Sequence, residues 1–200
     1  MYVLLSIRPV FLYNIRQDLS TEITVFNLQI FKQLPRRTVW EDVASPLGPL
    51  TVLASDNGVH AIAFESDRTE QAKTNLPRAV NHPIINTAAE QLAMYFNGTL
   101  KVFDLSLDLR GTDFQKRVWK LLLEIPFGET RTYGDIARVL GNAGASQAVG
   151  AANGKNPVSI VVPCHRVIGA SGHLTGYAGG MEKKKFLLAH EGVIQPTLFG

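Results

Sequence analysis

Apolar positions along the chain keep two different periods, and the change between them divides it into halves. From Glu41 to Ser55 the pattern is strand, turn, strand, with Pro46, Gly48 and Pro49 marking the break. Asp56-Asn57-Gly58 supplies a second turn, and Val59 to Phe64 reads as a further strand, which completes a small antiparallel meander. Pro83 then opens a helix to about Phe96, with Ile84, Ala88, Leu92 and Tyr95 at helical spacing and Asn97-Gly98 as its stop. Residues 99–109 read as one more strand. The pattern predicts a small α+β domain over 36–109, with no recognisable chemistry of its own.

Helical periodicity dominates from Gly111-Thr112-Asp113 onward, where a second domain over 110–195 begins. Thr112 or Asp113 caps a helix whose apolar face is Val118, Leu121, Leu122 and Ile125, ended by Pro126-Phe127-Gly128. Residues 132–140 form a short helix, 141–144 a turn, and Ala145 to about Asn153 the next helix. Helix, glycine-containing turn, helix is the helix-turn-helix pattern, although such a pair is often only a packing unit. The β-branched run Ile160-Val161-Val162 reads as a strand that ends at Pro163-Cys164. A glycine-rich loop follows from Gly169 to Gly180, then a last helix from Met181 to Glu191, stopped by Gly192. The expected fold class is α+β: an antiparallel-sheet N-terminal domain and a mostly helical, winged-helix-like C-terminal domain.

Charge and composition narrow the classes. Twenty Lys and Arg against seventeen Asp and Glu give a net charge of +3. The basic excess lies after residue 110, with ten Lys and Arg against six Asp and Glu, which permits a polyanionic partner. No apolar run reaches the roughly 20 residues of a membrane span. Residues 1–35 are interrupted by Arg8 and Arg16 and lack a small-residue cleavage site, so they read as an extension rather than a signal peptide, with poor order expected. No nucleotide-binding glycine pattern and no metal-ligand spacing occur, and neither metal nor cofactor is expected.

Cys164 is the only cysteine in 200 residues. That excludes an intramolecular disulfide and points to a reducing, cytoplasmic setting. A lone cysteine after an apolar run is commonly an inert buried thiol. Here His165 and Arg166 follow it directly, and a polar, basic neighbourhood favours the thiolate. Cys164 is therefore the candidate nucleophile and His165 the nearest base, with His190 as a rival. Glu191 opposes the dipole at a helix C-terminus, either as an exposed surface carboxylate or as the acid that orients a histidine. Asn156 before Pro157 is a turn former that could also hold the thiolate or Tyr133. Tyr177 sits in a side-chain-poor loop suited to wrapping a planar ligand. Lys183, Lys184 and Lys185 read first as a solvated face. Small residues fill 145–154, for close helix packing or for approach to a groove only about 6 Å wide.

Taken together, Pro163-Cys164-His165-Arg166-Val167 resembles the active-site motif of the O6-alkylguanine-DNA alkyltransferases (methylated-DNA–protein-cysteine methyltransferases). The likeness extends through Phe114-Gln115, Val118-Trp119, Tyr133-Gly134, Ala148-Val149-Gly150, Asn156-Pro157, Gly176-Tyr177-Ala178-Gly179-Gly180, Lys184 and Glu191-Gly192. Ser45-Pro46-Leu47-Gly48 resembles the N-terminal domain of the same family. The resemblance implies minor-groove binding of duplex DNA, flipping of the alkylated guanine into a pocket, and transfer of its O6-alkyl group to Cys164. It implies His165 as a water-mediated base, polarised by Glu191 and braced by Asn156, with Tyr133 as donor to the leaving base. Tyr177, Ala178, Val167 and Lys184 would form or support the pocket, and Gln147, Ala148, Ala151, Ala152 and Arg166 would face DNA. Gln147 stands where the family commonly has an arginine finger, so weaker, more salt-sensitive extrusion is expected. A monomer without an obligate partner is also expected, and the family's zinc sites cannot be present in their usual form.

Two rivals remain from the residues. A non-catalytic lesion binder would lack the cysteine that this chain has. A Cys-His-Glu hydrolase would turn over repeatedly and ignore DNA.

Overall fold

The computed structural model describes residues 34–195. The expected extension over 1–35 falls almost wholly on residues 1–33, outside that range. Three strands, β1 (Val39–Val43), β2 (Leu50–Ser55) and β3 (Gly58–Phe64), pair antiparallel in the order β1-β2-β3. The register sets Val43 opposite Leu50 and Leu50 opposite Phe64. β2 and β3 are buried along their whole length, so both faces are covered and the side chains need not alternate in polarity.

Helix α1 (Asp67–Asn75) was not legible in the pattern, because its sequence has no apolar stripe. Ser66 starts it through a reciprocal capping box with Thr69. Helix α2 (Pro83–Phe96) matches the expected bounds and buries Ile85, Ala88, Leu92 and Tyr95. The strand expected over 99–109 does not form. That segment is irregular and touches the sheet at one bridge, Val59 with Leu107.

In the second half, Thr112 caps α3 (Asp113–Leu123) and Gln115 returns the bond. A two-residue strand β4 (Arg131–Thr132) leads into α4 (Tyr133–Val139), which Thr132 caps with Asp135. A single 3-10 turn over Ala143–Ala145 precedes α5 (Ser146–Asn153). β4 pairs in parallel with β5 (Val167–Ile168), and α6 (Met181–His190) closes the described chain. Trp119 of α3 is buried and its indole Nε1 donates to the Ala152 carbonyl of α5 at 2.9 Å, which fixes α5 against α3. The result is an antiparallel sheet followed by a helical region, as the fold class required.

The strand expected at Ile160–Val162 is also absent. Residues 157–163 form tight turns, and Cys164–Arg166 is a 3-10 helix. The run is apolar because it is buried on all sides, not because it is extended. Ile62 on β3 clamps it, with Ile62 N donating to Pro157 O and Ser159 N to Ile62 O. Ile160 takes φ 74°, a left-handed conformation that a β-branched residue adopts at a cost of about 1–3 kcal/mol.

Removing the Trp119 anchor should loosen α5. The Trp119→Phe variant is expected to lose about 2 kcal/mol in urea unfolding, from a lost buried hydrogen bond and a smaller ring. A loss below about 0.5 kcal/mol would mean that the bond does not hold α5 in place.

Candidate active site around Cys164

Cys164 begins the 3-10 turn and is almost fully buried. Asn156 Nδ2 donates to its sulfur at 3.1 Å and to Val162 O at 2.7 Å, while Asn156 Oδ1 accepts from Val158 N at 3.0 Å. One amide therefore both ties the turn and holds the sulfur. Asn153 Nδ2 reaches the Cys164 carbonyl at 3.4 Å. Burial pushes the thiol pKa up, opposed by the Asn156 bond and by the charge of Lys184.

His165 is fully buried, and its Nε2 lies 2.8 Å from Glu191 Oε1. Burial alone would push the Glu191 pKa up, but hydrogen bonds from His165 and Arg166 override it and hold the group down at about 2. Glu191 is thus a carboxylate at neutral pH and can only accept. It follows that His165 carries its proton on Nε2, which leaves Nδ1 with a free lone pair. That Nδ1 atom is buried and has no hydrogen-bond partner among the described residues. Burial also lowers the His165 pKa, so the ring is neutral at pH 7.

Arg166 meets the same carboxylate in a fork, Nε to Oε2 at 2.8 Å and Nη2 to Oε1 at 2.9 Å, with Nη1 donating to Ile125 O at 2.6 Å. Lys184 is fully buried and donates to Val167 O at 2.7 Å and Thr175 O at 3.0 Å. Burial lowers its pKa to about 8. The Tyr177 hydroxyl is buried beside Cys164, and burial first, then Cys164, push its pKa well up.

A cavity of about 510 Å³ opens beside these groups, lined by residues that include Tyr133, Gly134, Gln147, Gly150, Thr175 and Gly176. Thr175 Oγ1 donates to Tyr133 Oη at 3.2 Å and so ties the glycine-rich loop to α4. The sulfur is not on the wall of this cavity.

Comparison with known proteins finds relatives over nearly all of the described chain. Residues 38–109 match the 6-O-methylguanine DNA methyltransferase, ribonuclease-like domain, and residues 113–193 match the 6-O-methylguanine DNA methyltransferase, DNA binding domain. The chain belongs to the 6-O-methylguanine DNA methyltransferase family. A methylated-DNA–protein-cysteine methyltransferase of Mycobacterium bovis is 49% identical over 152 residues, 76% of this chain and 91% of that protein. One from Salmonella typhimurium is 46% identical over 167 residues, 79% and 98% of the two chains. The crystal structure of Mycobacterium tuberculosis O6-methylguanine methyltransferase superposes with TM-score 0.72 at 47% identity, covering 80% of this chain and 97% of that one. A Mycobacterium tuberculosis structure in complex with DNA gives 0.69 at 47% identity, covering 77% and 93%.

Within this family member, several expectations about individual residues need correction. Arg166 was expected to face DNA, but its side chain is only 7% exposed and its guanidinium is used on Glu191 and Ile125. Ala152 was expected there too, yet it is buried, as its place beside Trp119 requires. Gln147, Ala148 and Ala151 are exposed on α5. Lys184 belongs to no solvated face. Val167 is buried, with its carbonyl held by Lys184, and Ala178 is exposed in the loop. His190 stays out of the cluster, because its Nε2 bonds the Tyr95 carbonyl and its ring stacks on Phe186. No helix of the described residues is long and apolar enough to cross a membrane.

The residue that sequence reasoning missed is Tyr95. Its hydroxyl donates to Glu191 Oε1 at 2.7 Å from α2, so residues 36–109 do contribute to the site. Burial, then the Glu191 charge, push its pKa far up, so it remains a donor. The available signal was a phenol at a core position, which needs a partner when buried.

These bonds have a pH signature. The folded-state pKa of Glu191, about 2, lies below its ordinary 4.5, so its charge stabilises the fold above that ordinary value. The contribution is lost as pH falls toward 2. Tyr95→Phe removes one donor to the carboxylate, raises its folded pKa, and should move the acid-unfolding midpoint to higher pH. Tryptophan fluorescence across pH 5 to about 1.5 reads this window, and an unchanged midpoint would show that the bond does not favour the charged form.

Proposed function

We propose that the chain is a direct-reversal DNA repair protein that moves the alkyl group of an O6-alkylguanine in duplex DNA onto its own Cys164, once per molecule. O4-alkylthymine is a second candidate substrate. The observation that carries this reading is a cysteine sulfur held by Asn156, followed in the chain by a histidine whose Nε2 is committed to Glu191 and whose Nδ1 is left free among the described residues.

The thiol is neutral at rest, so the reaction must remove its proton as the sulfur attacks. His165 Nδ1 takes that proton through a water, and the resulting imidazolium faces a carboxylate already fixed at 2.8 Å. The sulfur attacks the alkyl carbon in line, the carbon–O6 bond breaks, and the electron pair goes to the guanine. Tyr133, at the cavity wall, donates to the base as that charge develops. The proton lost by the thiol is balanced by the one the guanine gains. Tyr177, the Ala178 amide and Val167 bound the alkyl group, with Lys184 fixing the loop behind them. Asn156 keeps the sulfur aimed throughout.

Gln147, Ala148 and Ala151, short or uncharged and exposed on α5, suit the minor groove. Gln147 lines the cavity mouth and fills the space that a flipped base leaves. The product is a thioether with no easily displaced leaving group, so turnover stops at one. We place the reaction in the cytoplasm, carried out by a monomer with two domains over 36–109 and 110–195, without cofactor.

Intact-protein mass after mixing with excess duplex containing one O6-methylguanine tests this. Wild type should gain one methyl group, about +14 Da, and no more, while Cys164→Ala gains none. Lesion-selective binding by both proteins without an adduct would instead support a non-catalytic binder. Separately, Gln147→Arg should speed transfer by about threefold or more at moderate salt. A variant that reacts no faster would mean that Gln147 does not limit extrusion.

A further inference from the structure

Phe64, the last residue of β3, stands behind the loop that carries Tyr177. The two rings meet edge to face, with centroids 6.1 Å apart and planes at 66°. Between them runs Gly179. A Cβ on Gly179 would lie 2.7 Å from Cδ2 and Cε2 of Phe64 and 2.9 Å from Cε1 of Tyr177, so no side chain fits there. Lys183 of α6 covers the Phe64 ring, its Nζ 5.3 Å from the centroid. Phe64 is buried, and it packs from the N-terminal half against a loop that is also tied by hydrogen bonds to Tyr133 and Lys184.

Tyr177 and Gly179 cannot shift toward β3 without displacing this ring. Tyr177 presents a buried hydroxyl beside Cys164, so it bounds the space in which the transferred group must lie. A methyl group asks little of that space. A larger O6 substituent needs Tyr177 and Gly179 to give way, and Phe64 occupies the space on the β3 side of both.

We propose that Phe64 is a specificity-determining residue, a wedge that sets how far Tyr177 and Gly179 yield and so limits the size of the alkyl group accepted. This rests on the alkyl-transfer reading above. Aromatic packing resists compression because interiors are close-packed. Shortening Phe64 to leucine keeps an apolar end to β3 but vacates the volume behind Gly179.

Single-turnover transfer would be timed from two duplexes of one sequence, carrying O6-methylguanine or O6-benzylguanine, to wild type, Phe64→Leu and Phe64→Trp. The benzyl-to-methyl rate ratio should rise about tenfold in Phe64→Leu and fall in Phe64→Trp. The ratio is independent of the folded fraction, and Phe64→Met gives the same reading, with a flexible side chain of similar volume, should the leucine variant not fold. A ratio unchanged from wild type, including a parallel loss of both rates, would overturn the wedge. Failure of wild type to accept even the methyl group would instead overturn the assignment of Cys164, so the two failures are distinct.

Discussion

A single buried carboxylate holds this molecule to its geometry. Glu191 accepts from Tyr95 on α2, from the Gly128 amide after α3, and from His165 and Arg166 in the 3-10 turn, while itself capping α6. A charge this deep costs several kcal/mol unless it is paired and hydrogen-bonded on every side. Each donor must therefore be delivered, and delivering them fixes α2, the 126–128 turn, the cysteine turn and α6 relative to one another. The Tyr95 ring adds apolar packing at the same place, against Phe96, Phe103, Phe127 and His190.

In the proposed reaction, reactivity then follows from position rather than from a pre-formed thiolate. Burial keeps the Cys164 proton on at rest, which protects a lone cysteine from adventitious oxidation. The Asn156 amide holds the sulfur, and in the proposed mechanism the tautomer imposed by Glu191 offers a base to it through a water. Strain at Ile160 sits in the turn that presents Cys164 and persists because Ile62, Asn156 and the surrounding core over-determine that turn. Lys184 supplies a buried positive charge near the sulfur while tying the loop after β5.

Much of this was legible in the sequence where local chemistry decides the outcome. Pro83 and Asn97 bracket α2, and Thr112 caps α3. What failed did so for long-range reasons. Ile160 to Val162 has the composition of a strand, but a run buried on all sides reads the same way whether extended or turned. Residues 99–109 alternate like a strand yet make only one bridge, because the sheet edge they meet is shared with the 157–159 turn. Arg166 and Lys184 look like surface cations until their buried acceptors, 25 and 17 residues away, are known. Tyr95 and Glu191 are separated by 96 residues, beyond any local pattern.

The most direct measurement is the tautomer of His165, read from its two ring nitrogens by long-range proton–nitrogen NMR on labelled protein at pH 7. The expected result is a proton on Nε2 and a bare, pyridine-like Nδ1. A proton on Nδ1, or an imidazolium at that pH, would contradict the central claim that Glu191 prepares His165 as the base for Cys164.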